Sequence, residues 1–315
     1  MFRCTVFFIA VVLFLGLTTP AHAQEIPKDY QEVLTTLGRK GDFSAGVLKI
    51  GVPRNDLSVS IAGIATPTVF GFSGWVAMTK GDGGNDVLMG DLVLLQEEVN
   101  PVMSALLSNG LEATALHNHF FWDNPRLFFM HVHGYGKAAD LARSVKPALD
   151  LTGHVVSIPP AETGAKQLSG SLDTEKISAI IGHKLSPVVN WRGLDIPPPV
   201  YKLSIGRDDL SIKEHGATIN AQMGLNTWAA FYGSNEKAMI AGDVAMLDFE
   251  VSPVLKALRE NGLDVVAIHH HMLGTSPTII FLHYWGLGPA EKLAAGFKAA
   301  VDAQARAGSH THQTD

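Results

Sequence analysis

The segment GDLVLLQEEVNPVMSALLSNGLEATALHNH, residues 90–119, is matched further along the chain by GDVAMLDFEVSPVLKALRENGLDVVAIHHH, residues 242–271. The two segments align without a gap. Their flanks also match: VLKIGVPRNDLSV (47–59) with VYKLSIGRDDLSI (200–212), and PRLFFMHVHGYG (125–136) with PTIIFLHYWGLG (277–288). Self-similarity of this extent is the signature of a repeated structural unit. We therefore predict a tandem duplication of a domain of about 125 residues.

Hydrophobic periodicity separates strands from helices within each half. Alternating apolar and β-branched residues predict strands over 47–52, 57–64, 69–79, 87–95, 111–121 and 126–134. Apolar residues at three- and four-residue spacing predict a helix over 97–109. A last helix is predicted over 137–149 and is matched by 289–303. Strands and helices that do not alternate regularly indicate an α+β fold. Each repeat is expected to have mostly antiparallel strands and two to three helices.

The beginning of the chain has the layout of a cleavable secretory signal. In MFRCTVFFIAVVLFLGLTTPAHA, Arg3 precedes an apolar run, and small residues at Ala21 and Ala23 follow it. An uncleaved anchor is the alternative, but the apolar run is short for a membrane span of about 20 residues. The predicted organisation is a signal peptide at 1–23, an N-terminal repeat at 24–151, a linker at 152–173, a C-terminal repeat at 174–305 and a disordered tail at 306–315.

Net charge and cysteine content indicate which kinds of partner and metal ligand the protein can have. The formal net charge is −6, without a basic patch, which argues against nucleic acid as a partner. The single cysteine, Cys4, lies within the predicted signal, so metal ligands in the mature chain must be nitrogen or oxygen donors. No later segment is long and apolar enough to span a membrane. We expect a periplasmic or secreted protein with a small-molecule or metal ligand; its oligomeric state is left open.

Histidines recur at equivalent places in the two halves. Side chains alternate between the faces of a strand, so His117 and His119 share one face of strand 111–121. The turn-forming residues that follow predict an antiparallel hairpin with strand 126–134, which brings His131 beside them. The second half repeats the arrangement. We predict one site in each repeat, formed by His117, His119 and His131 in the first and by His269, His271 and His283 in the second.

A carboxylate precedes the helix of each repeat and is a candidate fourth ligand. Glu98 in the first half is matched by Glu250 in the second. Three histidines and one glutamate suit a divalent ion of Zn, Mn, Fe, Ni or Cu, and the residue types do not choose among these. A glutamate in the first turn of a helix is also expected from the helix dipole alone, and a histidine on an apolar strand is commonly a hydrogen-bonded core residue. Both alternatives stay open.

Other motifs are absent or have a structural explanation. The chain has no nucleophile-elbow pattern, no phosphate-binding glycine loop and no dinucleotide fingerprint. Arg54 with Asp56, and their equivalents Arg207 with Asp209, are interpreted as a structural turn and ion pair. The matched Trp75 and Trp228 are interpreted as core residues because the strands around them are apolar.

The runs LHNH and P-R-L-FFMH, together with the GD…E-V-NP-V…NG-L-E segment before them, resemble the LppY/LpqO family of bacterial exported proteins and lipoproteins. The resemblance covers most of both halves. It implies an exported, duplicated domain and brings no substrate with it. Its polar motif falls on Glu98, His117, His119 and His131 and on their second-half equivalents. The chain departs from that family in having His270 where Asn is usual, and in lacking a lipid-acceptor cysteine.

Three functions follow from these residues. The first is an exported metal-binding protein, which would act as a hydrolase if a metal-activated water occupies the open coordination position. The second is a non-catalytic binding module of the cell envelope with structural histidines. The third is metal-free acid/base catalysis by paired imidazoles on a sugar or phosphoester. The sequence does not single out a catalytic residue, so whether the protein is an enzyme is left open.

Overall fold

The computed structural model describes residues 24–154, 159–188 and 199–311. The predicted signal peptide, residues 1–23, lies outside these ranges, as do residues 155–158 of the predicted linker and residues 312–315 of the predicted tail. Within the described ranges, no helix is long and apolar enough to cross a membrane.

Helices and strands are distributed similarly in the two halves of the chain. The described α-helices are α1 (Lys28–Leu37), α2 (Thr68–Gly71), α3 (Gln96–Ser108), α4 (Ala138–Leu151), α5 (Thr174–Ile181), α6 (Asp248–Glu260) and α7 (Ala290–Thr311). The described strands are β1 (Gly41–Ser44), β2 (Val47–Pro53), β3 (Val59–Ile61), β4 (Ile64–Thr66), β5 (Ser73–Lys80), β6 (Asp86–Leu95), β7 (Glu112–His117), β8 (Asp123–Asn124), β9 (Leu127–Gly136), β10 (Lys166–Gln167), β11 (Ser186–Pro187), β12 (Tyr201–Gly206), β13 (Ile212–Glu214), β14 (Ala217–Ile219), β15 (Asn226–Gly233), β16 (Ala238–Met246), β17 (Asp264–His269) and β18 (Ile280–Gly288).

Each half of the chain builds a six-stranded sheet with the same topology. The strand order is β1-β2-β5-β6-β9-β7 in the first sheet and β11-β12-β15-β16-β18-β17 in the second. Neighbouring strands within both sheets are antiparallel. A parallel pair, β10 with β4, belongs to a smaller sheet of short strands. The predicted α+β duplication with mostly antiparallel strands is thus confirmed.

Each large sheet has helices on one face and the other sheet on its opposite face. In β9, Met130 and Val132 pack in a cluster with residues of α1, α3 and α4. Phe129, on the alternate face of the strand, packs with Tyr232 and Trp285 of the second half. The second sheet packs on α5, α6 and α7 in the same way. The resulting layers are helices, sheet, sheet, helices. Because side chains alternate along β9, His131 shares the inter-sheet face with Phe129.

Three predicted segments differ from the structure. Residues 57–64 form the short strand β3 and lead into β4 instead of making one strand. Residues 68–71 are the short helix α2, so the strand predicted over 69–79 begins later, at Ser73. The helix predicted over 289–303 continues as α7 to Thr311, where a disordered tail was expected from 306. Alanine has the highest intrinsic helix propensity, and the alanine-rich sequence that precedes position 306 favours this continuation.

Candidate metal and ligand site between the two sheets

Strand register places an aspartate and a histidine side by side on the inter-sheet face of each sheet. In the first sheet Asp91 of β6 is paired with His131 of β9, and His131 is paired with Ala115 of β7. The second sheet repeats this row as Asp243, His283 and Ala267. Residues paired in register project from the same face and contact one another. The small alanine leaves room beside each imidazole.

The remaining histidines lie at the last position of β7 and β17 and two residues beyond it. The strand β7 ends at His117, so His119 lies just beyond it and not within the strand predicted over 111–121. Both side chains are nevertheless buried. The ring of His119 stacks on Phe129, with ring centroids 3.3 Å apart, and His271 stacks on Phe281 at 3.3 Å. Packing against a phenylalanine therefore holds each second histidine at the inter-sheet face.

The two histidine sets meet in one cluster. His117 of the first repeat stacks on His269 of the second, with ring centroids 3.8 Å apart. The rings of His119 and His283 are 3.7 Å apart, and those of His131 and His271 are 4.0 Å apart. We call these residues the histidine cluster: His117, His119, His131, His269, His271 and His283. The prediction of a separate site in each repeat is wrong, because face-to-face packing of the sheets interleaves the two sets.

Ring nitrogens in the histidine cluster converge at distances suited to metal coordination. One ring nitrogen from each of His117, His269 and His283 lies within 4.8 Å of the other two. The same holds for one nitrogen from each of His131, His269 and His271. Among the described residues, both nitrogens of His117 and both of His269 lack a hydrogen-bond partner. Buried polar atoms without partners are uncommon in native proteins and call for a ligand, a water or an ion.

Backbone carbonyls orient two of the rings. His131 Nδ1 lies 3.2 Å from the Gly90 carbonyl oxygen, and His283 Nδ1 lies 3.2 Å from that of Gly242. A carbonyl only accepts, so Nδ1 donates its proton in both cases. The Nε2 atoms then carry the free lone pairs, and they have no partner among the described residues. A backbone carbonyl that fixes the tautomer of a histidine is a common outer-shell contact in metal sites.

Burial sets the protonation state of the cluster and of the two aspartates. It lowers the pKa of His131 and His283 to about 3 and lowers the pKa of the other four histidines as well. It raises the pKa of Asp91 to about 8 and that of Asp243 well above its ordinary range. The imidazoles are therefore neutral at physiological pH, which is the form that coordinates metal ions.

Glu98 and Glu250 are not part of this cluster, which corrects their prediction as metal ligands. Glu98 accepts hydrogen bonds from Arg54 Nη1 at 2.6 Å, from the Leu95 amide at 2.7 Å and from the Gly153 amide at 2.7 Å. These contacts close the N-terminus of α3 and occupy the carboxylate.

Glu250 has the equivalent partners in the second repeat. It accepts from Arg207 Nη1 at 2.7 Å, from the Leu247 amide at 2.8 Å and from Gln304 Nε2 at 2.9 Å. The alternative explanation by the helix N-terminus is the correct one for both glutamates. The ion pair predicted between Arg54 and Asp56 is also present, at 2.7 Å, as is that of Arg207 with Asp209, at 2.9 Å.

A cavity of about 330 Å³ opens beside the histidine cluster. Residues at equivalent positions of the two repeats line it as pairs: Lys49 and Lys202, Trp75 and Trp228, Asp91 and Asp243, His119 and His271, His131 and His283. The tryptophans therefore contribute to a cavity wall, whereas the sequence predicted core residues.

Four of these lining residues were missed by the sequence reasoning: both lysines and both aspartates. Their signal was present in the aligned repeats, since each pair occupies matched positions in otherwise apolar strands. A charged residue retained in the middle of a buried strand in both halves is a cue for an inter-sheet site.

Comparison with known proteins identifies a family. The profile of the family described as "Domain of Unknown Function (DUF1259)" matches residues 31–151 and again residues 185–303. The two matches coincide with the two halves and confirm the internal repeat. No curated protein matches the chain.

Solved structures match only distantly. A trimeric bacterial microcompartment shell protein, PduB, is 10% identical and covers 84% of this chain and 89% of its own, with a TM-score of 0.20. EtuB from Clostridium kluyveri is 9% identical, with coverages of 84% and 92% and a TM-score of 0.20. A fused permuted hexameric shell protein of the RMM microcompartment is 14% identical, with coverages of 80% and 96% and a TM-score of 0.19.

The grouping of the chain with exported, metal-binding proteins of the LppY/LpqO family stays a prediction, which these findings do not test. The structures that match are described as shell proteins, and the family profile that matches carries a different description. Of that grouping, the internal repeat alone is confirmed. TM-scores near 0.2 carry no argument about this chain's activity, so the role of the histidines rests on their own geometry.

Proposed function

Both halves of the chain belong to the Domain of Unknown Function (DUF1259) family, and we propose that the protein binds divalent transition-metal ions at the histidine cluster between them. The observation that carries the proposal is the set of buried ring nitrogens, contributed by both repeats, without a partner among the described residues. The two converging triads share His269. One or two ions per chain are therefore expected.

The donor set selects the class of metal. Imidazole nitrogen suits Zn, Mn, Fe, Ni and Cu, whereas Ca²⁺ and Mg²⁺ require mostly oxygen ligands. Asp91 and Asp243 add oxygen donors beside the rings, with Asp243 Oδ2 at 3.2 Å from His271 Nε2. The ion's own charge would return both carboxyl groups to their ionised form.

A structural role for the histidines is the competing explanation, and the contacts argue against it. A histidine retained for core packing would pair its ring nitrogens, because each buried polar atom left without a partner costs about 1–3 kcal/mol. His117 and His269 have both nitrogens unpaired within the described chain. A bound cation offsets this cost for the lone-pair nitrogen of each ring.

A bound ion would supply Lewis acidity toward a ligand in the adjoining cavity. The chain's own residues hold the donors: the Gly90 and Gly242 carbonyls orient His131 and His283, and Phe129 and Phe281 hold His119 and His271. No contact within the described residues favours hydrolysis or metal-free acid/base catalysis over ligand binding. The proposal is therefore a metal-binding function.

Metal content is the direct test. The purified chain is incubated separately with Zn, Mn, Fe, Ni and Cu, desalted and analysed for bound metal. We expect one or two equivalents of at least one metal, lost in the variant that combines His117→Ala with His269→Ala. The control His183→Ala changes an exposed histidine at the end of α5 and should retain the metal.

A melting scan separates this function from a metal-free binding module. A ligand that binds the native state raises the melting temperature. The metal-loaded chain should therefore melt above the chelated chain, and the histidine variant should show no such difference. A full-length protein that binds none of the five metals in stoichiometric amount would overturn the proposal.

A further inference from the structure

The cavity beside the histidine cluster has positively charged groups on two sides. Lys49 Nζ lies 4.1 Å from the centre of the Trp75 ring, and Lys202 Nζ lies 4.7 Å from that of Trp228. Register places each tryptophan next to the aspartate of its own sheet, Trp75 beside Asp91 and Trp228 beside Asp243. The lysines, tryptophans and aspartates thus form one continuous lining from the cavity wall to the histidines.

Lys202 has no carboxylate partner among the described residues and contacts the Trp228 ring instead. Burial lowers its pKa to about 8, because the charged form loses hydration there without gaining a counter-ion. An ammonium group kept in such a place is suited to a ligand that brings its own negative charge. Lysine serves as a compact point charge for carboxylate and phosphate groups.

The size of the cavity fits a small molecule. Its volume of about 330 Å³ lies at the lower end of the range in which ligand pockets bind small molecules, roughly 300–1,000 Å³. The tryptophan faces supply apolar area for the body of a ligand, and the polar groups are few and converge from both repeats. This combination of an apolar wall with a few oriented charges is typical of ligand sites.

We propose that the cavity binds a small oxyanion, a carboxylate or a phosphate, between the histidine-bound metal and the ammonium groups of Lys202 and Lys49. This inference rests on the proposed metal-binding function. Asp91 and Asp243 also line the cavity and repel an anion when ionised. A divalent cation at the histidines offsets that charge, so oxyanion binding requires the metal.

Calorimetric titration of the metal-loaded full chain tests the inference. The probes are succinate, inorganic phosphate and, as an uncharged match for succinate, succinamide. At least one of the two anions should bind and succinamide should not. Binding of succinate alone identifies the ligand as a carboxylate, and binding of phosphate alone identifies it as a phosphate. The chelated chain should bind neither.

Substitution of the unpaired lysine locates the anion. Lys202→Met keeps an unbranched side chain over Trp228 and removes the charge. We expect oxyanion affinity to fall about 10- to 100-fold, the loss expected for a hydrogen bond to a charged group. Lys202→Arg should retain most of the affinity. The control Lys256→Met alters an exposed lysine on α6 and should change nothing.

The outcomes separate this inference from the function on which it rests. If the metal binds but neither anion does, or if succinamide binds as well as succinate, the inference is overturned and metal binding stands. The inference is likewise overturned if Lys202→Met binds the anion as tightly as the unmodified chain. If no metal binds, both fail. Should Lys202→Met not fold, Lys49→Met at the equivalent position replaces it.

Discussion

His133 follows His131 on the inter-sheet face of β9, and the second repeat has Trp285 at the same place on β18. His133 Nε2 lies 2.9 Å from Glu214 Oε1 of the second repeat, so its ring contacts a carboxyl group of the other half. Trp285 instead packs edge-on against Trp122 of the first repeat, with ring centroids 5.8 Å apart. The two repeats differ at this edge of their interface.

The centre of the interface shows no such difference. The rings of His119 and His283 approach to 3.7 Å, and their exchanged counterparts His271 and His131 approach to 4.0 Å. Duplication produces two identical halves, which then change wherever each half can tolerate it. The edge accepted an exchange of histidine for tryptophan, while the centre kept the same residues in both copies. We infer that the histidines at the centre serve one purpose for which both halves are needed.

We expect the largest loss of folding stability when a buried glutamate is replaced, and we expect the metal site to be retained. Glu98→Gln or Glu250→Gln should destabilise the fold by about 3–5 kcal/mol, because each removes one partner of a buried ion pair. Urea denaturation measures the loss. Metal content per folded chain should not change, since neither carboxylate contacts the histidine cluster. Loss of metal at unchanged stability would show that the glutamates are ligands after all.

Single histidine substitutions test whether the two halves share one centre. His117→Ala and His269→Ala are equivalent changes in different repeats. Each should lower metal affinity by about 100-fold or more, since even outer-shell partners contribute roughly 10- to 100-fold. Competition with a chromophoric chelator measures the affinity. His269 belongs to both triads, whereas His117 belongs to one. If His269→Ala kept half of the metal at unchanged affinity, the sites would be separate and the shared centre would be disproved.

The asymmetric edge predicts unequal costs for matched substitutions. His133→Phe removes the polar contact with the Glu214 carboxyl group and should cost about 1–3 kcal/mol of folding stability. Trp285→Phe removes an indole N–H that has no partner among the described residues, so it should cost less. Thermal melting of both variants gives the comparison. Equal losses would mean that the contact between His133 and Glu214 adds nothing to stability.

A smaller change in folding stability is expected at low pH, where Asp209 becomes protonated. The hydrogen bond from Arg207 lowers the pKa of Asp209 below its ordinary value. Because the folded pKa is the lower one, the contribution to stability is complete above the unfolded pKa and is lost as pH falls through the folded pKa. Asp209→Asn should therefore make stability fall less steeply as the pH drops below about 4, by under about 1 kcal/mol at this exposed site.

Asp56, the equivalent carboxylate of the first repeat, provides a matched test. Burial raises the pKa of Asp56, but the hydrogen bond and the positive charge of Arg54, with smaller contributions, together outweigh it and the net pKa is lowered. Asp56 is less exposed than Asp209, with 30% of its side chain accessible against 61%. Asp56→Asn should therefore reduce the loss of folding stability at low pH more than Asp209→Asn does. Urea midpoints at about pH 5 and about pH 3 would reveal the order, and the reverse order would contradict it.

Much of each repeat could be predicted from local pattern. The helix predicted over 97–109 agrees with α3, and the strand predicted over 126–134 agrees with β9, because both have clear periodicity and turn residues at their ends. The pairing of β7 with β9 also agrees with the predicted antiparallel hairpin. The helix α2 was missed because four residues are too few to show a helical period.

The sequence predicted the histidines of the candidate site, but it placed them wrongly in two separate sites. The six histidines were identified because the chain contains them twice at matched positions. Glu98 was assigned to them because it recurs in both halves at the junction before the helix, yet it accepts hydrogen bonds from Arg54 and Gly153, which are distant along the chain. Lys202 and Asp243 were missed because nothing local marks a single charged residue in a strand as facing a cavity.

Local sequence pattern is enough to predict that this protein is a duplicated α+β chain and that each copy carries the same three histidines on an apolar face. Periodicity and register are local properties, so they can be read from neighbouring residues. The packing of the two apolar faces against each other became visible in the folded chain alone. That packing depends on the shape and burial of whole sheets, and it converts two separate triads into one centre beside a cavity lined by residues of both repeats.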